Sequence, residues 1–489
     1  MLLFSTLFAQ VNQDARMLGL NGAYTTLASG FRAVGINPAN LAVYPNKSLN
    51  ISNFSIGLSN NFISIENYNA LSGSHLNDPA HENYEDYYAK EKILDEFEGR
   101  GLRIRQSFSF PLPVLNMSTH RMAFTSQFTS NFDMGLSDGM VQFLFSGNPF
   151  GTDRYLDIEE VFLSIQEMGF SYGYSFHGYS AGITVKYLLG LFYMGMEPLS
   201  SPTITTDAHG FHGNPKYIIK QAIGGNGLGF DVGIASNEFD EGYRFGISII
   251  NLLGTIKWTQ DNFIRDKLEP NFRNMDYYLR PNELMFVNMV IDSVTLDNME
   301  DSENLDDPLV YYETYKVIPL KMINYLNISS ADSAIVVELS DGTYLYPSGG
   351  DYKKVVLLGD GDTTYTVEDT TYLGEGNPFT TRKPMYIRMG ISKRWEDQAV
   401  VAMDLVTGFS NRFSSSTKWR LSLGTEITRF KNKFFRIGYA IGGVAKKSLS
   451  MGYGAKWGNL YFDMGFSLNG GFSLGSTKGL DLAAGFIWQ

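Results

Sequence analysis

The sequence predicts an all-β protein, a transmembrane antiparallel β-barrel of about 14 strands, and three observations carry that expectation. First, between Pro384 and Gln489 apolar and polar residues alternate with period two in short segments separated by turns, as strands with one apolar and one wet face do. Leu480, Leu482, Ala484, Phe486 and Trp488 fall on one side, and Asp481, Ala483, Gly485, Ile487 and Gln489 on the other. Leu460, Phe462, Met464, Phe466 and Leu468 likewise oppose Tyr461, Asp463, Gly465, Ser467 and Asn469, and the division recurs around Leu449 to Trp457 and Trp419 to Ile427. A soluble sandwich hides its large side chains between sheets; a membrane barrel turns them to lipid and keeps small and charged residues inside, which is the composition of the second set here. Second, no apolar run reaches the ~18 residues of a membrane helix, and only helices and closed barrels satisfy their backbone groups in lipid. Third, 50 glycines, 29 tyrosines and 35 phenylalanines suit close strand packing and aromatic girdles, and no linker divides the 489 residues into soluble domains.

Charge and cysteine content exclude several functions. A net charge of −12 argues against nucleic acid as a partner. With no cysteine there is no disulfide, no thiolate nucleophile and no lipid-modified N-terminal Cys.

In chain order, residues 1–10 read as a signal-peptide remnant, with Leu2-Leu3-Phe4, Leu7-Phe8 and a cleavage position after Ala9, although the basic leading region is missing. Residues 11–47 follow as an N-terminal plug segment. Its core, Ala15 to Ala42, is rich in small residues, with Gly19, Gly22 and Ala23 and then Asn37-Pro38-Ala39. Pro38 biases Asn37 away from helix and toward a turn, and small residues permit close packing in a crowded lumen. This stretch resembles the N-terminal signature of FadL-type outer-membrane barrels, and more closely that of their PorV-like and uncharacterised relatives in Bacteroidota-type bacteria. The resemblance implies that the segment packs inside the barrel and that Asn37-Pro38-Ala39 turns the chain into the wall.

Wall strands are expected near 48–66, 101–112, 120–133, 165–176, 179–192, 227–236 and 243–258, giving a first half of the barrel over 48–258. The second half, 384–489, supplies strands near 385–395, 398–409, 418–429, 433–442, 447–457, 459–468 and 477–488. The resulting number matches the FadL type. Connections after even-numbered strands are short (113–119, 177–178, 237–242) and those after odd-numbered strands long (67–100, 134–164, 193–226), as expected if the former are periplasmic turns and the latter outer loops. Residues 259–383 are too long for a bare loop and contain strand-like runs Leu284 to Val290, Leu309 to Val317, Ile335 to Leu339 and Val355 to Leu358, with a hairpin signal at Asp341-Gly342. They are expected to form a small extracellular β-rich insertion, unless two of the runs join the wall and make it sixteen-stranded. Its acidic stretch, Asp297, Glu300, Asp301, Glu303, Asp306 and Asp307, lacks the order of a calcium loop. Gly-Asn-Pro-Phe at Gly147 to Phe150 and at Gly376 to Phe379 reads as turn chemistry.

No catalytic pattern emerges. The six histidines (His75, His81, His120, His177, His209 and His212) fall in loops or at a strand end without a nucleophile or a third metal ligand. Gly224-Gly225-Asn226-Gly227-Leu228-Gly229 leads into a strand rather than a phosphate-binding helix. Neither cofactor nor metal is implied. Alternation instead turns a charged set inward: Arg103, Arg105, Lys186, Asp231, Arg244, Arg388, Asp404, Arg420, Glu426, Arg436, Lys456, Asp463 and Asp481. Inside a barrel such charges avoid lipid and can pair across the lumen or with the plug, whose Arg16 and Arg32 are expected to meet inward carboxylates such as Asp404, Glu426 or Asp463. The expected location is the outer membrane of a Gram-negative bacterium. The expected partners are its lipid, the barrel-assembly machinery addressed through the near-terminal Trp488, and either hydrophobic small molecules or secreted proteins. The first of these ligands fits passive transport, as the FadL resemblance implies; the second fits a PorV-like interaction barrel that moves nothing.

Overall fold

The computed structural model describes residues 14–73, 97, 101–112, 114–146, 148–198, 202–208, 210–213, 215–258, 267, 284–294, 310–317, 328–331, 334–338, 344–348, 351–358, 362–366, 380–396, 398–410, 417–443 and 445–489. The signal-peptide remnant, His75, His81, His209, the acidic stretch at 297–307, Asp341-Gly342, Gly147 and the second Gly-Asn-Pro-Phe lie outside these residues.

Among the described residues, fourteen antiparallel strands form a closed wall. The first seven are β1 (Ser48–Asn60), β2 (Leu102–Pro111), β3 (Met122–Leu136), β4 (Ile158–Phe176), β5 (Tyr179–Pro198), β6 (Lys216–Ser236) and β7 (Tyr243–Trp258). The second seven are β8 (Tyr386–Trp395), β9 (Ala399–Gly408), β10 (Arg420–Phe430), β11 (Lys433–Gly442), β12 (Lys447–Trp457), β13 (Leu460–Asn469) and β14 (Gly479–Trp488). Each pairs with the next, and β1 pairs with β14 from Leu49↔Trp488 to Ser59↔Gly479, with one irregularity between Asn50 and Ser52. Closure leaves no edge, so every wall strand has a partner on both sides.

The side-chain period of two decides what each face meets. In β14, Leu480, Leu482, Phe486 and Trp488 are exposed on the outside while Ala483, Gly485 and Ile487 are buried inside. In β10, Leu421 and Leu423 face out and Arg420, Ser422 and Gly424 face in. One end of the barrel has the short connections 177–178, 237–242, 396–398, 431–432 and 458–459; the other receives the long ones.

Three strands run further than alternation indicated. β4 begins at Ile158, β5 continues to Pro198 and β6 begins at Lys216, so their long-connection ends project past their neighbours. The register shifts between Ser164 and Ile165 in β4, and Gly224 has φ +81 in β6; each irregularity interrupts the alternation from which the shorter strands were read. The projecting part of β6 pairs with Leu284–Val294, which pairs with Val310–Val317, so these two runs extend the wall sheet sideways without entering the closed ring. Ile328–Ala331, Ala334–Glu338, Tyr344–Ser348, Asp351–Leu358 and Asp362–Thr366 form a separate five-stranded antiparallel sheet.

An arginine at the middle of a lipid-facing barrel strand costs about 2–4 kcal/mol. Leu423→Arg should therefore lower the unfolding free energy of the bilayer-embedded protein by about that amount, measured by denaturant titration with folded and boiled electrophoretic mobility as readout. An unchanged midpoint would show that this face does not meet lipid.

Candidate functional site in the barrel lumen

Residues 14–44 enter the barrel, and nearly all of them are buried. The short helix Ala15–Gly19 is capped by the Asp14 carboxylate, which accepts from the Arg16 amide at 3.0 Å. It passes so close to the wall that a Cβ on Gly19 would lie 3.0 Å from the Cα of Gly452; two glycines facing each other permit the contact. Gly22 follows with φ +88, a turn conformation costly for any side chain with a Cβ. At Asn37-Pro38-Ala39 the Asn37 carbonyl side chain accepts from the Ala39 amide at 3.1 Å, closing an Asx turn, and its NH2 donates to the Ile234 carbonyl of β6 at 3.1 Å. The motif thus makes a turn and grips the wall with one side chain. The helix Asn40–Val43 then leads to β1.

The inward charges form networks, most of which include the N-terminal segment. Glu426 accepts from Arg16 Nε (2.9 Å) and Nη2 (2.7 Å) and from Arg436 Nε (2.5 Å). Arg436 Nη1 lies 2.7 Å from Asp463, whose other oxygen is 3.3 Å from Arg32 Nη1; that nitrogen is 3.4 Å from Asp14. A second network centres on Asp404, with no exposed side-chain surface. Its Oδ2 accepts from the Tyr24 amide (2.9 Å), the Thr25 amide (2.8 Å), Thr25 Oγ1 (2.5 Å) and Arg388 Nη2 (2.9 Å), and Arg388 also donates to the Gly22 carbonyl at 2.9 Å. Arg420 donates to Asn21 Oδ1 and Ser448 Oγ. Arg244 donates to the Thr26 carbonyl and to Asn40, and its guanidinium lies 4.3 Å from the Tyr44 ring centroid.

Two further networks lie within the wall. Lys186 bridges Glu167 (3.1 Å) and Asp231 (2.9 Å) and donates to Asn251, while Lys383 pairs with Glu167. Arg103 and Arg105 share Asp133, at 2.5 and 2.9 Å. Lys456 and Asp481 are half-buried: Lys456 stands over the Tyr461 ring at the short-turn rim, and Asp481 accepts from Asn469 at 2.9 Å. Sequence reasoning missed Asp14, Asp133, Glu167 and Lys383. Glu167 shares parity with Gly169 and Ser171 and was readable on that signal; Lys383 precedes its strand and had no periodic signal at all.

Beyond Lys186 and Glu167, toward the long-connection end, the lumen changes character. Val161, Leu163, Ile165, Leu188, Tyr193, Ala222, Ile256 and Trp258 form a buried apolar layer. The Trp258 ring lies over Gly190 and Gly225, where a Cβ would come within 2.6 and 2.8 Å of it. Its indole N–H donates to Thr381 at 3.1 Å. A cavity of about 40 Å³, room for a few waters, remains between the N-terminal segment and β1–β4, bordered by Met17, Tyr24, Phe31, Asn53, Thr125 and Gln127.

Among the described residues the histidines assemble no site. His120 and His177 occupy turns with positive φ, and His212 lies 2.7 Å from Asp207 in a half-exposed pair. Among the described residues no group of three or more His, Cys, Asp or Glu could hold a metal ion.

No protein-family model and no curated protein matches the chain. Solved structures resemble it in fold along nearly its whole length. The toluene transporter TbuX of Ralstonia pickettii is 11% identical, with 99% of each chain covered and a TM-score of 0.46. The CymD monoaromatic hydrocarbon channel is 10% identical, covering 99% of this chain and 98% of that one, with a TM-score of 0.46. The toluene transporter TodX of Pseudomonas putida is 9% identical, covering 99% and 98%, with a TM-score of 0.42.

Removing one member of a buried ion network strands its partners, at a cost of about 3–5 kcal/mol. Glu426→Ala, which leaves Arg16 and Arg436 facing each other, should destabilise by that amount, and Arg16→Ala, which leaves Glu426 with Arg436, by clearly less. Denaturant unfolding of both variants in one lipid system measures the difference; equal losses would contradict this network.

Proposed function

We propose that the protein is an outer-membrane barrel that passively admits apolar or amphipathic compounds, with residues 14–43 as a lumenal plug. The observation that carries this reading is the inward-facing layer from Val161 to Trp258. A pore for water and ions keeps its interior polar, whereas this lumen is packed with aromatic and aliphatic side chains at the long-connection end. An apolar solute gains by leaving water there, and in the network directly below it two lysines, Lys186 and Lys383, already face two carboxylates, Glu167 and Asp231. The cavity beside β1–β4 adds free space between the plug and the wall.

A second reading rests on the five-stranded sheet between β7 and β8. Passage through a lumen does not need it, and a surface module of that kind suits an interaction barrel that binds secreted protein. Under both readings the short turns are periplasmic and 259–383 lies outside the cell.

Transport is tested in proteoliposomes and in cells with a fluorescent fatty acid and an aromatic hydrocarbon. Wild type should accelerate their entry, and Leu188→Glu, which puts a charge in the apolar layer, should reduce it by about tenfold or more, since burying an unpaired carboxylate costs at least a few kcal/mol. Deletion of residues 14–43 should leave an assembled, heat-modifiable barrel with raised small-ion conductance. Unaltered entry in Leu188→Glu together with unaltered conductance in the deletion would favour the interaction barrel, which co-purification with secreted protein then examines.

Topology has its own test. Proteinase added to intact cells should cut first within 259–383; cleavage only after the outer membrane is permeabilised would reverse the orientation.

A further inference from the structure

The outer face of the wall carries a groove of about 680 Å³ across β6–β10, within the size range of small-ligand sites. Its body is aliphatic: Ile247 on β7, Met389 and Ile391 on β8, Met403 and Leu405 on β9, and Leu421 on β10. Its rim at the short-turn end is aromatic. Phe239, from the 237–242 turn, lies on the outer surface with its ring 6.2 Å from Tyr179 and 6.0 Å from Phe245.

Behind the groove, inside the barrel, three of the positions facing the N-terminal segment are glycines. A Cβ on Gly390 would stand 2.8 Å from Thr25 Cβ, one on Gly424 would stand 2.7 Å from the Leu20 carbonyl oxygen, and one on Gly246 would stand 3.0 Å from the Asn37 side chain. Wall and segment are therefore in close contact behind the groove.

One outward row closer to the short-turn end, Tyr243 and Lys393 face each other across β7 and β8, two residues or about 7 Å beyond the Phe245↔Ile391 pair. The Lys393 ammonium donates to the Tyr243 hydroxyl at 3.1 Å and lies 4.4 Å from the Tyr243 ring centroid and 5.3 Å from that of Trp395. Glu241, 3.7 Å away, is largely exposed, so that pair is weak. A cation set among Tyr and Trp is the arrangement of a membrane–water boundary. An ammonium has three protons to donate, and Lys393 commits one of them at short range.

We propose that this groove is a binding site for one anionic phospholipid of the leaflet at the short-turn end, an acyl chain lying in the aliphatic hollow and the phosphate on Lys393. The position argues for lipid, since the hollow begins one row below the boundary and runs on among outward aliphatic side chains to Leu405 and Leu421, where acyl chains reach. The shape argues against a second copy of the chain, because a barrel offers a convex wall to a hollow that a single flexible chain can fill.

The test is native mass spectrometry of delipidated protein titrated with phosphatidylglycerol or phosphatidylcholine. Wild type should take up one phosphatidylglycerol with about fivefold or greater preference, the contribution of one cation near an anionic headgroup. Ile391→Trp, which fills the hollow, should abolish that binding, and Lys393→Gln should equalise the two lipids. Heat-modifiability certifies that each variant is folded, and Met403→Trp replaces Ile391→Trp if the latter fails to assemble. Equal affinity for both lipids in wild type, undiminished binding in the filled variant, a preference that survives Lys393→Gln, or a two-chain species that excludes lipid would each overturn the proposal.

Discussion

The structure depends on the demand that a backbone in lipid satisfy all its hydrogen bonds internally. β1 meets that demand by pairing with β14 across the ends of the chain. Once the ring closes, the period of two leaves each strand one lipid face and one lumen face, and charges within the lipid span are forced inward. A fourteen-strand ring is also wider than its own side chains fill. A crowded charged interior and spare interior volume are therefore two consequences of one closure.

Residues 14–44 answer both. They occupy the volume, and they supply the partners the wall lacks. Asp404 receives three of its four short hydrogen bonds from Tyr24 and Thr25, and Glu426 is shared between Arg16 of the segment and Arg436 of the wall. Such pairs cost more to break than they gained on forming, so they specify where the segment sits more than how stable the barrel is. Polar ties from the segment run to β6–β13, and others run toward β1 and β4, such as Phe31 N–H to Ser48 and Ser175 to the Ala42 carbonyl. The free space in the lumen lies between the segment and β1–β4, and the outer groove runs across β6–β10.

The sequence alone determined the class of fold, the strand sites and the facing of residues along each strand, because these follow from a local period that lipid enforces. It identified Arg388, Asp404, Glu426 and Arg436 as inward because parity is a property of the strand that carries them. It offered Asp404, Glu426 and Asp463 as carboxylates for Arg16 and Arg32, but could not assign Glu426 to Arg16, 410 residues away, and Asp463 to Arg32, since partners across a lumen depend on register and shear summed around the ring. Nor could it find the apolar layer around Trp258. That layer lies beyond the irregularities at Ser164/Ile165 and Gly224, where local alternation stops reporting which way a side chain points, and only the closed tertiary structure brings β4, β5, β6 and β7 around one ring.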